Sequence, residues 1–509
     1  MSHPRSRRRH AALAAAAGLT TAVVALAGAG VAAPADPADV PSTPVPIAAP
    51  DGTVMSYVLN ARVANPGQTR LLERATVRAG GVVVQSWPQI GVVVAHSDRS
   101  AFRTDVRAAA ANALESVGAT RTVGVSEGTP EGAAAPWGPG ASDYKKGGRK
   151  DDRGDVGSEP TTPVTEDERE GEQWNLTMIK ADQAHRINDG DRDVLVGVLD
   201  SGIDADHPDL APNIDVASSV NCSDAGRPDR SATGWQPTTS DHGTHVAGTI
   251  AAPRNGVGIV GVAPGVRMAS VKVVNDDGYI YPEYAVCGFV WAATHGMDVT
   301  NNSYFVDPFM YFCDDQPDQH AAKEAVRRAV EWSTERGVVH AAAAGNARTD
   351  LATNTTDTTS PNDSTPVNRT INDGCEDIPA ELDGVVTVSS MQRFPAGTDE
   401  SRLSSFSNRG LGVIDVAAPG STILSTIITD NGYGTKSGTS MASPHVAGVL
   451  ALMESAHPGL PPAEMVARLR AQADDKPCGT TTAGPACVGT PENNSYFGEG
   501  VVDALDAVR

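Results

Sequence analysis

The chain has 509 residues, a formal net charge of −22 and only 5% aromatic residues. That length exceeds one ordinary domain, and so acidic a balance argues against a nucleic-acid partner, which calls for a basic surface. No segment of about eighteen unbroken apolar residues follows the amino-terminal region, so no membrane anchor is expected, and the six cysteines suit an oxidising destination.

Met1 to Ala35 opens with Arg5, Arg7, Arg8 and Arg9, passes through an Ala/Val/Leu stretch and ends in Ala33-Pro34-Ala35. Basic, apolar and small residues in that order make a secretory signal peptide, so residues 1–35 are expected to be removed and the product to be secreted and extracellular. A small unit follows over residues 52–127. Val54 to Val63 alternates as a strand, Gln68 to Arg78 is helical in composition, and Gly81 to Ala95 reads as two strands about Trp87-Pro88. Phe102 to Val117 is an alanine-rich helix and Arg121 to Val125 a last strand. Strand-helix-strand-strand-helix-strand is the ferredoxin-like α+β order. Residues 128–172 are rich in Gly, Pro and charge, running from Lys145, Lys146, Arg149 and Lys150 into an acidic stretch, and read as a flexible, cleavable linker.

Four later blocks carry chemistry. Asp193-Val-Leu-Val-Gly-Val-Leu199 is the β-branched apolar run of a buried parallel strand. It ends in Asp200-Ser201-Gly202, so a carboxylate stands at the carboxyl end of a strand, where open α/β sheets place their sites. His242 heads a small-residue helix in Asp241-His242-Gly243-Thr244-His245-Val246-Ala247-Gly248-Thr249. Val338 to Ala344 is an apolar strand closed by Gly345-Asn346. Gly438-Thr439-Ser440-Met441-Ala442-Ser443-Pro444-His445-Val446-Ala447-Gly448 reads as a sharp turn opening a helix, with Pro444 in its first turn and Ser440 at its mouth. Unpaired backbone N–H groups and the positive end of the helix dipole can hold a developing oxyanion there. Each block alone has a plainer reading, as a cap, a turn or a small-residue core helix.

The order acid, imidazole, hydroxyl and the strings D-S-G-I-D-A-D-H-P-D-L, D-H-G-T-H-V-A-G-T and G-T-S-M-A-S-P-H-V-A-G resemble the subtilisin family of serine proteases, the subtilases. The resemblance covers residues 173–509 and implies an α/β, three-layer sandwich with a mostly parallel central sheet. It implies a serine endopeptidase working through an acyl-enzyme intermediate: Ser440 attacks, His242 relays its proton to the leaving amine, and Asp200 orients the ring and stabilises the imidazolium. Asn346 matches the side-chain donor of the oxyanion hole, while His245 and His445 are expected to be structural. By arrangement, residues 52–127 resemble the family's inhibitory and chaperoning propeptide, whose tail would lie in the cleft of an inactive precursor.

Subtilases bind an extended peptide as an added strand. Gly278, Tyr279 and Ile280 fall at one cleft edge and Ser303 and Tyr304 at the other, with Phe305 and Val306 where the family has glycines. Asp377 falls near the floor of the specificity pocket, beside an insertion from Arg348 to Gly374, and an acid there favours Lys or Arg before the scissile bond. Asp209 and Asn255 match positions that give oxygens to a structural calcium, with carbonyls of Pro253, Val257 and Ile259 and an amino-terminal ligand near Glu170. No catalytic cofactor is implied. Six cysteines allow fifteen connectivities; their positions favour Cys478–Cys487 as a local clip and Cys313–Cys375 as a tether between loops beside the cleft, which leaves Cys222–Cys287. The expected partners are peptide or protein substrates and the propeptide, and the expected state is a monomer. A binding protein that has lost activity conflicts with four intact chemical positions, and a glutamate-based serine-carboxyl peptidase conflicts with the His242 block. Pro462 to Gln472 reads as a late helix and Gly498 to Arg509 resembles the family's closing segment.

Overall fold

The computed structural model describes residues 40–110, 112–129, 166–398, 400–479 and 486–509, so the expected signal peptide and most of the expected linker lie outside the described residues. The small unit consists of β1 (Met55–Ala61), α1 (Pro66–Arg78), β2 (Val82–Trp87), β3 (Val92–Ser97), α2 (Phe102–Ala110) and β4 (Leu114–Ala119). Its antiparallel sheet has the order β2-β3-β1-β4. Every residue of β1 is buried because both of its faces are covered. Tyr57 packs its ring on Phe102 of α2, with centroids 4.6 Å apart, while Ser56 and Asn60 on the other face hydrogen-bond to Glu283 and Ala321 of the large unit.

One boundary differs from expectation. α2 stops at Ala110, and the last strand is Leu114–Ala119, not residues 121–125. The free edge of β1 supplies a hydrogen-bonding partner that outweighs the helical bias of the alanines. Gly118 lies so close to the large unit that a Cβ there would sit 2.6 Å from the Asp318 Cα.

The large unit is built on β5 (Leu195–Asp200), α3 (His242–Ala251), β6 (Arg267–Lys272), α4 (Pro282–Thr294), β7 (Val299–Asn302), α5 (Pro317–Glu335), β8 (Val339–Ala343), β9 (Val385–Arg393), β10 (Val416–Pro419) and α6 (Thr439–Ala456). Its nine-stranded sheet runs β9-β8-β7-β5-β6 through the middle, all parallel. β10 pairs parallel to β9, and the short strands Ser401–Leu403 and Arg227–Asp229 add antiparallel edges. Alternate residues of β5 enter opposite layers: Leu195 and Leu199 pack with α4 and α5, and Val196 and Val198 with α3 and α6. A strand covered on both faces must read as an unbroken apolar run, which is what residues 194–199 show. This is a three-layer α/β sandwich with a mostly parallel sheet.

β6 lies on one side of β5 and β7 on the other, so the strand order reverses at β5 and a crevice opens at its carboxyl end. Cys222–Cys287 ties the strand Val220–Asp224, which pairs with β6, to α4, Cys313–Cys375 closes a two-stranded ribbon, and Cys478–Cys487 closes a short loop. Residues 166–172, expected as linker, pack on the large unit instead: Asp167 is buried and Arg169 N–H donates to the Gly258 carbonyl. No helix among the described residues is long and apolar enough to cross a membrane.

Candidate active site

The crevice at the end of β5 receives its side chains from four places. Asp200 closes β5 and is buried, and its carboxylate accepts from His242 Nδ1 at 2.8 and 2.9 Å and from Ser201 N–H at 2.7 Å. His242 opens α3. Gly243 must follow it, since a Cβ there would stand 2.4 Å from the Gly202 carbonyl oxygen. Burial alone would push the His242 imidazole down, but the charge and hydrogen bond of Asp200 outweigh it and hold the ring above its ordinary 6.5. With Nδ1 fixed on Asp200, Nε2 has no partner among the described residues.

Ser440 stands at the second position of α6. Its hydroxyl donates to the Ser303 carbonyl at 3.2 Å, so the hydrogen bond to His242 that the expected relay requires is not the one formed here. Pro444 lies one turn further in, inside the helix rather than at its start, and cannot donate to the carbonyl of Ser440. That carbonyl is met by Ser303 Oγ at 2.8 Å, and Asn301 and Ser443 extend the same network. A helix-breaking residue is thus accommodated by a hydroxyl from the neighbouring strand end.

Asn346 follows β8. Its side-chain oxygen accepts from Thr439 N–H at 2.8 Å and Thr439 Oγ1 at 3.0 Å, which leaves its Nδ2 facing outward as a donor. A Cβ built on Gly438 would lie 3.6 Å from both Asn346 Nδ2 and Ser440 N. Two donors therefore converge on one small space beside Gly438. An oxyanion hole has this form.

A cavity of about 420 Å³ adjoins His242 and is lined among others by Gly278, Ile280, Ser303 and Tyr304. Tyr279 lies outside it, stacked on Tyr281 with its hydroxyl donating to the Asn362 carbonyl. The expected edge at 278–280 is less open than the sequence implies. Ile280 N–H donates to the Asp307 carboxylate and its carbonyl accepts from Asp307 N–H, while both main-chain groups of Tyr279 are taken by Asn275. Opposite, the main-chain groups of Tyr304 and Phe305 have no partner among the described residues. Asp377 is fully buried beside Gly345, where a Cβ would lie 3.7 Å from its Oδ2, and its Oδ1 has no partner. Burial, then Glu381 and Asp357, push this carboxyl well up.

His245 and His445 point away from the crevice. His245 Nε2 meets the carbonyls of Ile423 and Gly434, and His445 lies between the Met441 carbonyl and Asn175. Burial lowers both to about 4, so both are neutral near pH 7.

Among the described residues no three Asp, Glu, His or Cys side chains gather as a metal cluster. Asn255 turns its oxygen to Val257 N–H, and Glu170 is engaged by Arg254. Neither matches the ligand expected of it. Asp209 and an unforeseen residue, Asp167, are different: both are buried, and each keeps one oxygen without a partner. Burial, offset in part by bonds from Ile259 and Tyr433, raises Asp209 to about 6. Two buried carboxylates with spare oxygens fit a hard cation.

Comparison with known proteins decides the family. The model described as "Subtilase family" matches residues 191–500. The chain is a member of the subtilase family. It is 34% identical over 336 residues to the subtilisin of Bacillus pumilus, covering 66% of this chain and 98% of that relative. It is 32% identical over 336 residues to subtilisin E of Bacillus subtilis, covering 66% of this chain and 71% of that one. The solved structure of fervidolysin from Fervidobacterium pennivorans, described as a keratinolytic enzyme related to subtilisin, aligns with a TM-score of 0.61 at 24% identity over 90% of this chain and 61% of its own. The epidermin leader peptide processing serine protease of Staphylococcus aureus gives a TM-score of 0.61 at 20% identity, over 89% of this chain and 98% of its own. At those identities the two structures speak to the fold alone. Subtilases are serine endopeptidases that need no catalytic cofactor, and this chain is a serine-type endopeptidase.

Proposed function

We propose that the chain is a secreted subtilase, made as an inactive precursor, that hydrolyses peptide bonds with Asp200, His242, Ser440 and Asn346. The observation that carries this is the pairing of a buried carboxylate with an imidazole in the same crevice as a serine whose flanking donors converge beside Gly438. A turn about the Cα–Cβ bond of Ser440 exchanges the Ser303 carbonyl for the unpartnered Nε2 of His242. Ser440 Oγ then bonds to the scissile carbonyl carbon while His242 takes its proton, and Ser440 N–H and Asn346 Nδ2 hold the oxyanion. The carbon–nitrogen bond breaks as His242 returns the proton to the amine. Water, activated by the same imidazole, releases the acyl group. Asp200 keeps the proton on Nδ1 and stabilises the imidazolium throughout.

The substrate strand pairs chiefly with the open main-chain groups of Tyr304 and Phe305, and a Lys or Arg before the scissile bond ionises the buried Asp377 carboxyl, neutral without it, and pairs with its unpartnered oxygen. Residues 52–127 act as the propeptide, supported by the apolar core that they share with α4 and α5. Their described tail does not enter the crevice. Arg121 is buried against Glu283 and Tyr281, and Val125 N–H returns to Val54 of the small unit. Asp167 and Asp209 would hold a calcium ion that neutralises two buried charges and ties residues 166–172 to the large unit. The monomeric state belongs to the same proposal. Substitution Ser440→Ala tests the catalytic assignment: hydrolysis of a casein or peptide substrate is lost, with circular dichroism and melting unchanged. Full activity in that variant rejects it.

A further inference from the structure

The described chain begins before the small unit, and residues 40–47 are not loose. Ser42 is buried; its N–H and Oγ each donate to one oxygen of Asp315, at 2.7 and 2.6 Å, and Gln316 Nε2 donates to Ser42 Oγ at 2.9 Å. Thr43 N–H donates to the Thr370 carbonyl at 2.8 Å, and Thr370 N–H returns a bond to Thr43 Oγ1 at 2.8 Å. Asn372 Nδ2 reaches the Val40 carbonyl at 3.2 Å. Arg103 of α2 bonds at once to the Ile47 carbonyl and to Asp318 at the start of α5. The receiving residues come from the Cys313–Cys375 ribbon and from the insertion over residues 348–374, and none of them lines the cavity beside His242.

The sequence Pro41-Ser42-Thr43-Pro44-Val45-Pro46-Ile47 suits this use. Each proline fixes its own φ and keeps the residue before it extended, so little chain entropy is lost on docking. A carboxylate receiving both the N–H and the hydroxyl of one serine makes the stronger, charge-assisted class of hydrogen bond.

We propose that residues 40–47 are a second docking element of the precursor segment, and that the Asp315–Gln316–Thr370–Asn372 surface of the enzyme is an exosite built to receive it. The inference rests on the propeptide reading of residues 52–127. The segment then holds the enzyme at two places, through its sheet on α5 and through this strap, and stays bound after the linker is cut.

The full-length chain tests this with Asp315→Ala on the enzyme side and Ser42→Ala or Thr43→Pro on the strap, the last removing the N–H that meets Thr370. Two readouts are taken: hydrogen exchange of the peptide containing Thr43 in the Ser440→Ala background, and the rate at which the cut segment leaves active enzyme, followed by native mass spectrometry and the onset of peptidase activity. The expected results are slow exchange at Thr43 that becomes fast in Asp315→Ala and in Ser42→Ala, and, in all three variants, release faster by about tenfold or more, as loss of the strap's hydrogen bonds implies. The strap variants lie outside both folded units, so they remain informative if Asp315→Ala disturbs its loop. Cleavage followed by unchanged release, with no protection at Thr43, overturns the second docking element alone. A segment that is never cut from the chain overturns the propeptide reading and the release role with it.

Discussion

Gly438 offers the sharpest probe of the proposed oxyanion hole. Its φ of 165° is extended backbone that any residue adopts, and an added Cβ would meet nothing closer than 3.6 Å. Alanine therefore costs the fold nothing visible, and by restricting the unfolded chain it adds up to about 0.4–1 kcal/mol of stability. The new methyl, however, stands 3.6 Å from Ser440 N and 3.6 Å from Asn346 Nδ2, in the space an oxygen must enter to lie about 2.7–3.1 Å from each donor. One donor of this kind contributes on the order of 10²–10³ in kcat, the size established for the same donor in subtilisin rather than one obtained from this structure. Blocking both should cost kcat about 10³-fold or more, on the order of 4 kcal/mol. Steady-state kinetics on a fluorogenic peptide, with the precursor segment first cut by trace wild-type enzyme, should show that loss in Gly438→Ala beside an unchanged or slightly raised Tm. A folded variant within about threefold of wild-type kcat would refute the placement of the oxyanion, and a large drop in Tm would refute the steric reasoning.

Three further outcomes follow from the site. Because Asp200 raises His242 and the base must be unprotonated, kcat/KM should rise with pH through an inflection above 6.5; Asp200→Asn should move that inflection down and lower kcat on the order of 10⁴-fold, both read from pH–rate profiles. Metal-free enzyme should lose stability as the pH rises from 3.8 to about 6, because unfolded Asp209 gives up its proton there while the folded one keeps it. Calorimetry with and without calcium should show the ion removing that slope, and Asp167→Asn with Asp209→Asn should abolish its effect; a Tm indifferent to chelator counts against the site. Asp377→Asn should lower kcat/KM for peptides with Lys or Arg before the cut by about 10–100-fold relative to leucine peptides, whereas a wild-type cleavage profile led by Phe and Leu disposes of that preference.

What the sequence shows and what it hides divide along one physical line. Asp200, His242 and Ser440 are legible because each stands at a strand or helix end whose neighbours are set locally, by a buried apolar run or by glycines that allow close approach. The features that sequence reading misses are made by distant residues. Nothing near Pro444 announces that Ser303, more than a hundred positions earlier, will meet the carbonyl it leaves open. Asp307 saturates the backbone of Ile280 only once the two loops are folded together. Asp167 reads as part of a charged linker until Gly256 and the nearby Asp209 bury it. The helix expected to reach Val117 ends early because β1 offers a free edge, a partner that local composition does not reveal. The strap at residues 40–47 is visible only as a proline-rich string before its partners in the insertion are known.

The central claim is that Ser440 is activated by the His242–Asp200 pair. The most direct measurement is reaction of the processed enzyme with diisopropyl fluorophosphate, followed by peptide mass mapping. One adduct should form, on the peptide carrying Ser440, in step with loss of activity, and it should fail to form in His242→Ala. An active enzyme that takes no adduct, or takes it on a different serine, would contradict the account.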